Sequence, residues 1–244
     1  ITYFSRKPNA RFLSISLGFS AGGMLYVSMV ELFAQSKETL SAALGGSGYP
    51  IAVLSFFGGM LAIAVIDRLV PEYENPHEMT YLDGAGEDEL AANSSKMMRM
   101  GLITALAITI HNFPEGMATF VSALQGEELA LPITMAIAIH NIPEGVAVAV
   151  PIFYATRDRK KAFWYSLLSG LSEPFGAILG YLLLRPFMSD TLMGVVFGAI
   201  AGVMVYISLD ELLPSAEEYG GHHQAMLGLI AGMAVMAVSL LLFA

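Results

Sequence analysis

Two copies of one six-residue pattern, H-N-x-P-E-G, contain most of the residues in this sequence that could do chemistry. The first copy occupies residues 111–116 and the second occupies residues 140–145. In each copy the histidine and the glutamate are four residues apart, so on a helix they lie on the same face about one turn apart. Imidazoles, carboxylates and amide oxygens together suit a borderline divalent metal ion. The candidate metal ligands are His111, Asn112, Glu115, His140, Asn141 and Glu144.

A proline precedes the glutamate in each copy. Pro114 and Pro143 have no N–H, so the carbonyls of Ile110 and Ile139, four residues back, lose their helical hydrogen bonds. Those carbonyls become available to water, a side chain or an ion. Glu173 also stands directly before a proline, further along the chain. We therefore add Glu173 to the candidate ligands as a third carboxylate.

The elements that must position these residues are membrane-spanning helices. Apolar residues make up 55% of the chain, charged residues 14%, and the mean hydropathy is +0.63. A bilayer core needs about 20 mostly apolar residues per helical crossing. The sequence predicts an all-α integral membrane protein, with residues 1–244 forming one transmembrane domain of about seven spans. The predicted spans, A to G, are Arg11–Gln35, Tyr49–Ile66, Arg99–Leu124, Leu129–Thr156, Ala162–Leu184, Asp190–Leu213 and Gln224–Ala244.

The basic residues predict the orientation of these spans. With alternating sides, ten Lys and Arg residues fall on one side of the membrane and only Lys37 and Arg185 on the other. The basic side is expected to be cytoplasmic, which places the C-terminus outside and the acidic segment 71–97 in the cytoplasm as a flexible loop. His77 in that loop is interpreted as a solvated side chain. The net charge of −9 does not indicate a basic surface for binding nucleic acid. The lipid bilayer is the expected environment of the protein.

By segment length, the motif residues and Glu173 lie near the middle of the membrane. A charged side chain there costs roughly 2.5–3.5 kcal/mol on insertion scales, and the sequence supplies no Lys or Arg at that depth. A divalent ion would compensate these charges, and bridging carboxylates could hold two ions in adjacent sites.

Protons would compensate the same charges by keeping the carboxyls neutral, so a proton-translocating or metal-sensing helix bundle is the alternative. Hydrogen bonding between helices alone is the plainest interpretation of single polar residues, but the duplication of the pattern disfavours it. A membrane metallohydrolase is disfavoured because the sequence contains no H-E-x-x-H motif. A soluble di-iron bundle is disfavoured because it would show E-x-x-H in less apolar helices. No enzyme activity is predicted, and the absence of cysteine excludes thiolate ligands.

Other polar residues suggest the two ends of a cation path. Glu31 falls late in span A, toward the outside, and Met24 could add a thioether ligand. Asp67 closes span B, and Asp210 and Glu211 fall late in span F, toward the cytoplasm. Each of these residues is also compatible with an ordinary packing or interfacial role.

H-N-F-P-E-G and H-N-I-P-E-G, with S-E-P-F-G-A in the next span and G-F-S-A-G-G-M-L in an earlier one, resemble the ZIP (Zrt-, Irt-like protein) family of metal-ion transporters. The bacterial zinc-uptake branch is the most similar, and the resemblance covers residues 6–244. It implies eight transmembrane helices with both termini outside, so the family's first helix is expected ahead of Ile1. It also implies uptake of zinc across the cell inner membrane or, in other members, of iron, manganese, cobalt or cadmium. A homodimer is an assembly that the sequence leaves open.

The same resemblance implies a binuclear metal centre between the two motif helices. Its ligands would be His111, Asn112, Glu115, His140, Asn141, Glu144 and Glu173, with Met24 matching a methionine ligand of the family. Glu31 would match the outer entrance, and Asp67, Asp210 and Glu211 would lie along an inner release path. The cytoplasmic loop is often rich in histidine in the family, whereas here it holds only His77.

Overall fold

The computed structural model describes residues 10–69, 94–187 and 189–243, and every regular element in those ranges is helical. His77 and residues 71–93 of the predicted acidic loop lie outside the described residues, as do the side chains of His111, His140 and Asp67. Two segments are π-helical, the first π segment (Val27–Leu32) and the second π segment (Ser208–Leu212). The α-helices are α1 (Ala10–Tyr26), α2 (Phe33–Leu44), α3 (Gly48–Leu69), α4 (Ser94–Gln125), α5 (Glu127–Thr156), α6 (Arg159–Gly170), α7 (Ser172–Leu184), α8 (Asp190–Ile207), α9 (Leu213–Gly220) and α10 (His222–Phe243).

Span A is longer than predicted, because α1, the first π segment and α2 form one helical rod that ends at Leu44 rather than at Gln35. The polar residues after Gln35 suggested a connector. Ser36, however, is buried and donates a hydrogen bond to the carbonyl of Gly194 at 2.6 Å. The rod stops only at Gly45, which takes a positive φ of 60° that glycine adopts readily.

Spans E and F also differ from their predicted form. Span E consists of α6 and α7 with a turn at Leu171, because Pro174 cannot donate to the carbonyl of Gly170. Span F continues past Leu213 to Gly220, since Pro214 sits in the first turn of α9, where proline is tolerated. The helix α4 begins at Ser94, inside the range predicted as loop.

Five stretches of the described residues are long and apolar enough to cross a membrane, which confirms a membrane-spanning protein. The first of them includes the turn Gly45–Ser47, where the chain reverses between α2 and α3. The helix α4 is not among the five, because the polar residues of the first motif copy lower its hydropathy. The count of seven spans therefore stays a prediction. The five stretches are Arg11–Ile66, Ile133–Phe153, Arg159–Leu183, Asp190–Gly220 and His222–Leu242.

Glycines bring the backbones of α1 and α10 into direct contact. A Cβ atom at Gly18 would overlap the carbonyl of Ala225, and one at Gly22 would overlap that of Leu229. Both residue numbers rise together, so the two helices run parallel. Small residues spaced four apart are the usual means of such close approach in lipid, where packing rather than hydrophobic burial drives helix association.

Two further pairs of parallel helices use the same device. In the α3–α8 pair, Gly198 faces Ser55 and Gly202 faces Met60. In the α4–α7 pair, Gly116 lies against the carbonyl of Glu173, and Gly180 lies against the ring of Phe120. The second of these pairs joins the first motif copy directly to the segment that carries the third carboxylate.

Candidate functional site

The two motif copies lie on an antiparallel helical hairpin. The helices α4 and α5 meet at Gly126, whose φ of 118° is accessible to glycine and strained for other residues. Both helices continue without interruption through Pro114 and Pro143, so only individual backbone hydrogen bonds are lost. Near the other end of the hairpin Gly101 packs against Ile152. The hairpin therefore brings the two copies to the same level of the bundle.

Three polar side chains of the motifs are almost completely buried: Asn112 is 2% exposed, Glu115 0% and Glu144 1%. The hydroxyl of Ser20 on α1 donates to Oε1 of Glu144 at 2.9 Å. With its amide oriented so that the nitrogen faces acceptors, Asn112 donates to Oε2 of Glu144 and to the carbonyl of Ile108, each at 3.2 Å. One carboxylate is thus held by donors from two other helices.

A second polar pair connects α5 to α7. The amide nitrogen of Asn141 donates to Oε2 of Glu173 at 2.7 Å. The amide oxygen of Asn141 is buried and has no hydrogen-bond partner among the described residues. Burying an acceptor without a hydrogen bond costs about 1–3 kcal/mol of desolvation free energy. A water or a cation bound to this oxygen would offset that cost.

A cavity of about 270 Å³ between α5 and α6 begins at Asn141 and extends toward Phe153 and Arg159. Its walls are mostly apolar, with Ser166 as a polar exception. The Ser166 hydroxyl donates to the carbonyl of Gly145 at 3.0 Å, which ties α6 to the second motif copy. Asn141 therefore both lines this cavity and donates to Glu173.

The helix contact at Gly116 fixes the third carboxylate relative to the first motif. Gly116 follows Glu115 directly, and its α-carbon faces the backbone carbonyl of Glu173. A side chain at position 116 would separate α4 from α7. The backbones that carry Glu115 and Glu173 are therefore at the closest approach that two helices permit.

Among the described side chains, no three His, Cys, Asp or Glu groups converge tightly enough to hold a metal ion. His111 and His140 lie on α4 and α5, but their side chains are outside the described part. Met24 is fully buried on α1, one turn beyond Ser20 and on the same face of that helix.

Three of the predicted path residues lie in π-helical segments. Glu31 is in the first π segment, and Asp210 and Glu211 are in the second; all three are partly exposed. Short π segments inside α-helices are rare and often occur at functional sites. The π geometry could not be read from the motif analysis. The side chain of Asp67 lies outside the description.

An internal repeat that the motif analysis missed underlies the two π segments. The sequence G-G-M-L-Y-V-S-M-V-E-L at residues 22–32 matches G-V-M-V-Y-I-S-L-D-E-L at residues 202–212. Met24 aligns with Met204, Ser28 with Ser208, and Glu31 with Glu211. A comparison of the chain with itself would have found this signal, because six of the eleven positions are identical.

The two copies of this repeat run in opposite directions. Ser14 donates to the carbonyl of Ala216 and Ser36 to that of Gly194, each at 2.6 Å. The α1–α2 rod is therefore antiparallel to the α8–α9 rod. The midpoints of the two rods lie side by side, which puts Met24 and Met204, both fully buried, near the same level. Inverted repeats of this kind are typical of secondary transporters.

These features define a class of protein: a polytopic helical membrane protein built on an inverted repeat, with buried carboxylates and amides inside its bundle. Comparison with known sequences narrows the class to one family. The sequence model of the ZIP zinc transporter family matches residues 72–240. The chain belongs to this family, as the motif resemblance predicted, and it is a transporter rather than an enzyme.

Several curated proteins are similar along the whole chain. The zinc transporter ZupT of Clostridium perfringens is 59% identical over 255 residues, covering 100% of this chain and 90% of that protein. The ZupT of Streptococcus mutans is 59% identical over 244 residues, with 100% and 90% coverage. The ZupT of Chlorobium chlorochromatii is 59% identical over 245 residues, with 100% and 91% coverage.

Proposed function

We propose that this protein carries zinc into the cytoplasm through a site formed by the two motif copies and Glu173. The ligands in this proposal are His111, Asn112, Glu115, His140, Asn141, Glu144 and Glu173, with Met24 on the outer side. Zinc is the substrate because the family and the relatives named above are zinc transporters. Cadmium, iron(II), manganese and cobalt(II) accept the same ligand types and are the natural competitors to test.

The observation that carries the proposal is the burial of several carboxylate and amide acceptors inside the bundle. Glu115 and Glu144 are completely enclosed, and the Asn141 amide oxygen is enclosed without a partner among the described residues. The sequence places no Lys or Arg between Arg99 and Arg157, so neither motif helix contributes a Lys or Arg at the level of these acceptors. A cation that binds between α4 and α5 supplies the missing positive charge.

Two ions are proposed to share this site. The Ser20–Glu144–Asn112 group and the Asn141–Glu173 pair are separate hydrogen-bonded clusters that meet on the second motif copy. One ion bound at each cluster, with a carboxylate between them, would give the binuclear arrangement. A second ion would also lower the repulsion between closely spaced carboxylates.

Transport in this proposal starts at Glu31 on the outer side and ends past Asp210, Glu211 and Asp67 on the inner side. The ion sheds water as it moves to the buried carboxylates, and it is released when one group of helices rocks against the other. Protons compete with zinc for imidazole and carboxylate ligands, so acidification should weaken binding. The orientation follows from the excess of basic residues on the predicted cytoplasmic side.

Zinc uptake into proteoliposomes tests the proposal. The wild-type protein should show saturable uptake that cadmium competes with. Glu144→Gln keeps the shape of the side chain and an acceptor for Ser20 but removes the charge, and it should lower uptake at least about tenfold, a change of roughly 1.4 kcal/mol. Glu127→Gln, which removes an exposed charge from the start of the same helix, is the matched control and should transport normally.

Unchanged uptake in both Glu144→Gln and Glu115→Gln would contradict the proposed site. The proton-translocating alternative predicts a different pattern. It requires the glutamates but not the metal-type ligands, so His111→Ala, His140→Ala and Asn112→Ala would retain proton flux and show no zinc uptake to lose.

A further inference from the structure

The cavity between α5 and α6 is a groove that runs from the motif region to the predicted cytoplasmic end of the two helices. Its ends on α5 are Asn141 and Phe153, which are twelve residues apart and so separated by about 18 Å of helix. Asn141 is predicted to lie near the middle of the membrane, and half of a hydrocarbon core measures about 15 Å. The groove therefore has about the depth of one lipid leaflet.

The floor of the groove is buried and apolar, whereas its rims are open. Val146 and Ala149 on α5 and Ala162 on α6 form the floor and are at most 5% exposed. Ile142 on α5 and Phe163 on α6 form the rims and are 56% and 53% exposed. Since lipid surrounds these helices, an acyl chain can enter the groove sideways from the bilayer.

A positive charge stands at the mouth of the groove. The guanidinium carbon of Arg159 lies 6.0 Å from the centroid of the Phe153 ring, and both residues line the groove. Residues 157–161 contain four of the chain's 12 Lys and Arg residues, although the whole chain has a net charge of −9. This local excess of positive charge favours an anionic ligand over a metal ion.

The backbone at the start of α6 is already hydrogen-bonded. Oδ1 of Asp158 accepts from the backbone N–H of Lys160 at 2.8 Å and from that of Lys161 at 3.3 Å. An anion at the mouth would therefore bind the side chain of Arg159 rather than the N-terminus of the helix. The planar guanidinium group is well suited to phosphate.

Aromatic side chains beside the mouth indicate the level of the membrane surface. Trp164 is 56% exposed, and the centroid of its ring lies 5.7 Å from that of Phe163. Tryptophan is enriched where the acyl chains of a bilayer meet the headgroups. An anion held by Arg159, just before these rings in the chain, is therefore at the level of lipid headgroups, with the apolar groove beneath it.

We propose that the groove binds an anionic phospholipid, with the phosphate on Arg159 and one acyl chain between α5 and α6. Basic pockets between membrane helices are a known means of binding such headgroups. The chain packs on Val146 and Ala149 and ends near Asn141, which donates to Glu173. The lipid site is thus separate from the proposed metal ligands His111, Glu115 and Glu144 but adjoins the region that contains them.

Quenching of tryptophan fluorescence detects the lipid directly, because Trp164 is the only tryptophan of the chain. The protein is reconstituted in phosphatidylcholine vesicles that contain a small fraction of brominated phosphatidylglycerol or, separately, of brominated phosphatidylcholine. Brominated phosphatidylglycerol should quench Trp164 several-fold more strongly at the same fraction. Equal quenching by the two lipids overturns the inference.

Two charge variants separate the groove from a general attraction of anionic lipid to basic residues. Arg159→Gln should weaken phosphatidylglycerol binding at least about tenfold, because a charge-assisted hydrogen bond is lost. Lys161→Gln removes the same charge from the same exposed segment but does not line the groove. It should weaken binding much less, since it acts only through attraction that salt screens. Equal losses in the two variants overturn the inference.

Thermal unfolding in detergent distinguishes a lipid from a soluble anion. Phosphatidylglycerol should raise the melting temperature of the wild-type protein, because a ligand of the folded state stabilises it. Glycerol phosphate, which has no acyl chain, should not raise it. Ala149→Leu fills the floor of the groove and should remove the effect of the lipid while Arg159 is unchanged. An equal effect of glycerol phosphate, or a full lipid effect in Ala149→Leu, overturns the inference. These measurements contain no zinc, so their outcome is independent of the proposed function.

Discussion

Glu144 illustrates how side chains from several helices hold a buried carboxylate in place. It accepts hydrogen bonds from Ser20 and, in the preferred amide orientation, from Asn112. Hydrogen bonds to a charged group stabilise it by about 1.5–3 kcal/mol, which offsets only part of the penalty for burying a carboxylate. In the proposed function a bound cation supplies further stabilisation, so zinc and protons would compete for Glu144.

A stability prediction follows from the serine contacts between helices. Ser14 donates to the carbonyl of Ala216 on a distant helix, whereas Ser55 donates to Ile51 on its own helix. Ser14→Ala should lower the melting temperature by a few degrees, because interhelical hydrogen bonds in membrane proteins contribute on average about 0.6 kcal/mol. The zinc concentration for half-maximal uptake should not change. Thermal unfolding in detergent measures the effect, with Ser55→Ala as the control; equal effects in the two variants would contradict the argument.

At the level of residues, the sequence singled out the motif side chains as candidates but did not indicate how they pair. The H-N-x-P-E-G duplication identified Asn112, Glu115 and Glu144 as functional candidates, and all three are buried in the bundle. The partnership of Asn141 with Glu173 spans 32 residues and three helices, so no local pattern encodes it. Ser20 was missed because a single serine in an apolar helix carries no distinctive signal.

At the level of elements, glycine contacts set the distance between helices in each parallel pair. A Cβ at Gly116 would meet the carbonyl carbon of Glu173 at 2.7 Å and the backbone nitrogen of Ala177 at 2.9 Å. These are backbone atoms, so they cannot rotate away as a flexible side chain would. The only relief is movement of α7 away from α4.

Gly116→Ala should therefore reduce both folding and transport. We expect a loss of several degrees in melting temperature and at least about a tenfold loss of zinc uptake by the protein that still folds, since Glu173 is displaced from the motif. The matched control is Gly58→Ala on α3, where an added Cβ meets nothing within 4 Å. That variant should be as stable as wild type or slightly more stable, because alanine favours a helix over glycine by about 0.5–1 kcal/mol. Equal stability of the two variants would contradict the packing argument.

The sequence predicted where the membrane helices lie but not where all of them end. Apolar content located the spans, because lipid exposure demands it. It could not locate helix ends that lie beyond the apolar stretch, so α2 and α9 were missed as extensions of spans A and F. The π segments depend on how neighbouring rods pack, and composition does not report that.

For the whole molecule, the predicted orientation can be tested without altering any native thiol. The chain contains no cysteine, and Lys37 and Lys161 are both exposed. In intact cells, a membrane-impermeant thiol reagent should modify Lys37→Cys, on the predicted outer side, and should modify Lys161→Cys only after the membrane is opened. The reverse pattern would place the basic loops outside and would invert the proposed direction of uptake.

The whole-molecule class was the most secure conclusion available from sequence. High apolar content and a duplicated polar motif predicted a membrane-spanning ZIP protein, and the family comparison confirmed it. The inverted arrangement of the two rods needed coordinates, since a repeat in the sequence does not state how its copies are oriented.

That inverted arrangement has a consequence for the rates of ion movement in the two directions. The α1–α2 and α8–α9 rods match in part and face opposite ways, so their pair is close to a palindrome. On the proposed path, an ion arriving from either compartment meets a glutamate, a serine and then a methionine in the same order. Two such rods, taken alone, would favour neither the inward nor the outward direction of ion movement. A difference between inward and outward rates is then expected from the positions where the copies differ, and of these Val30 opposite Asp210 is the one that adds a charge to a single copy.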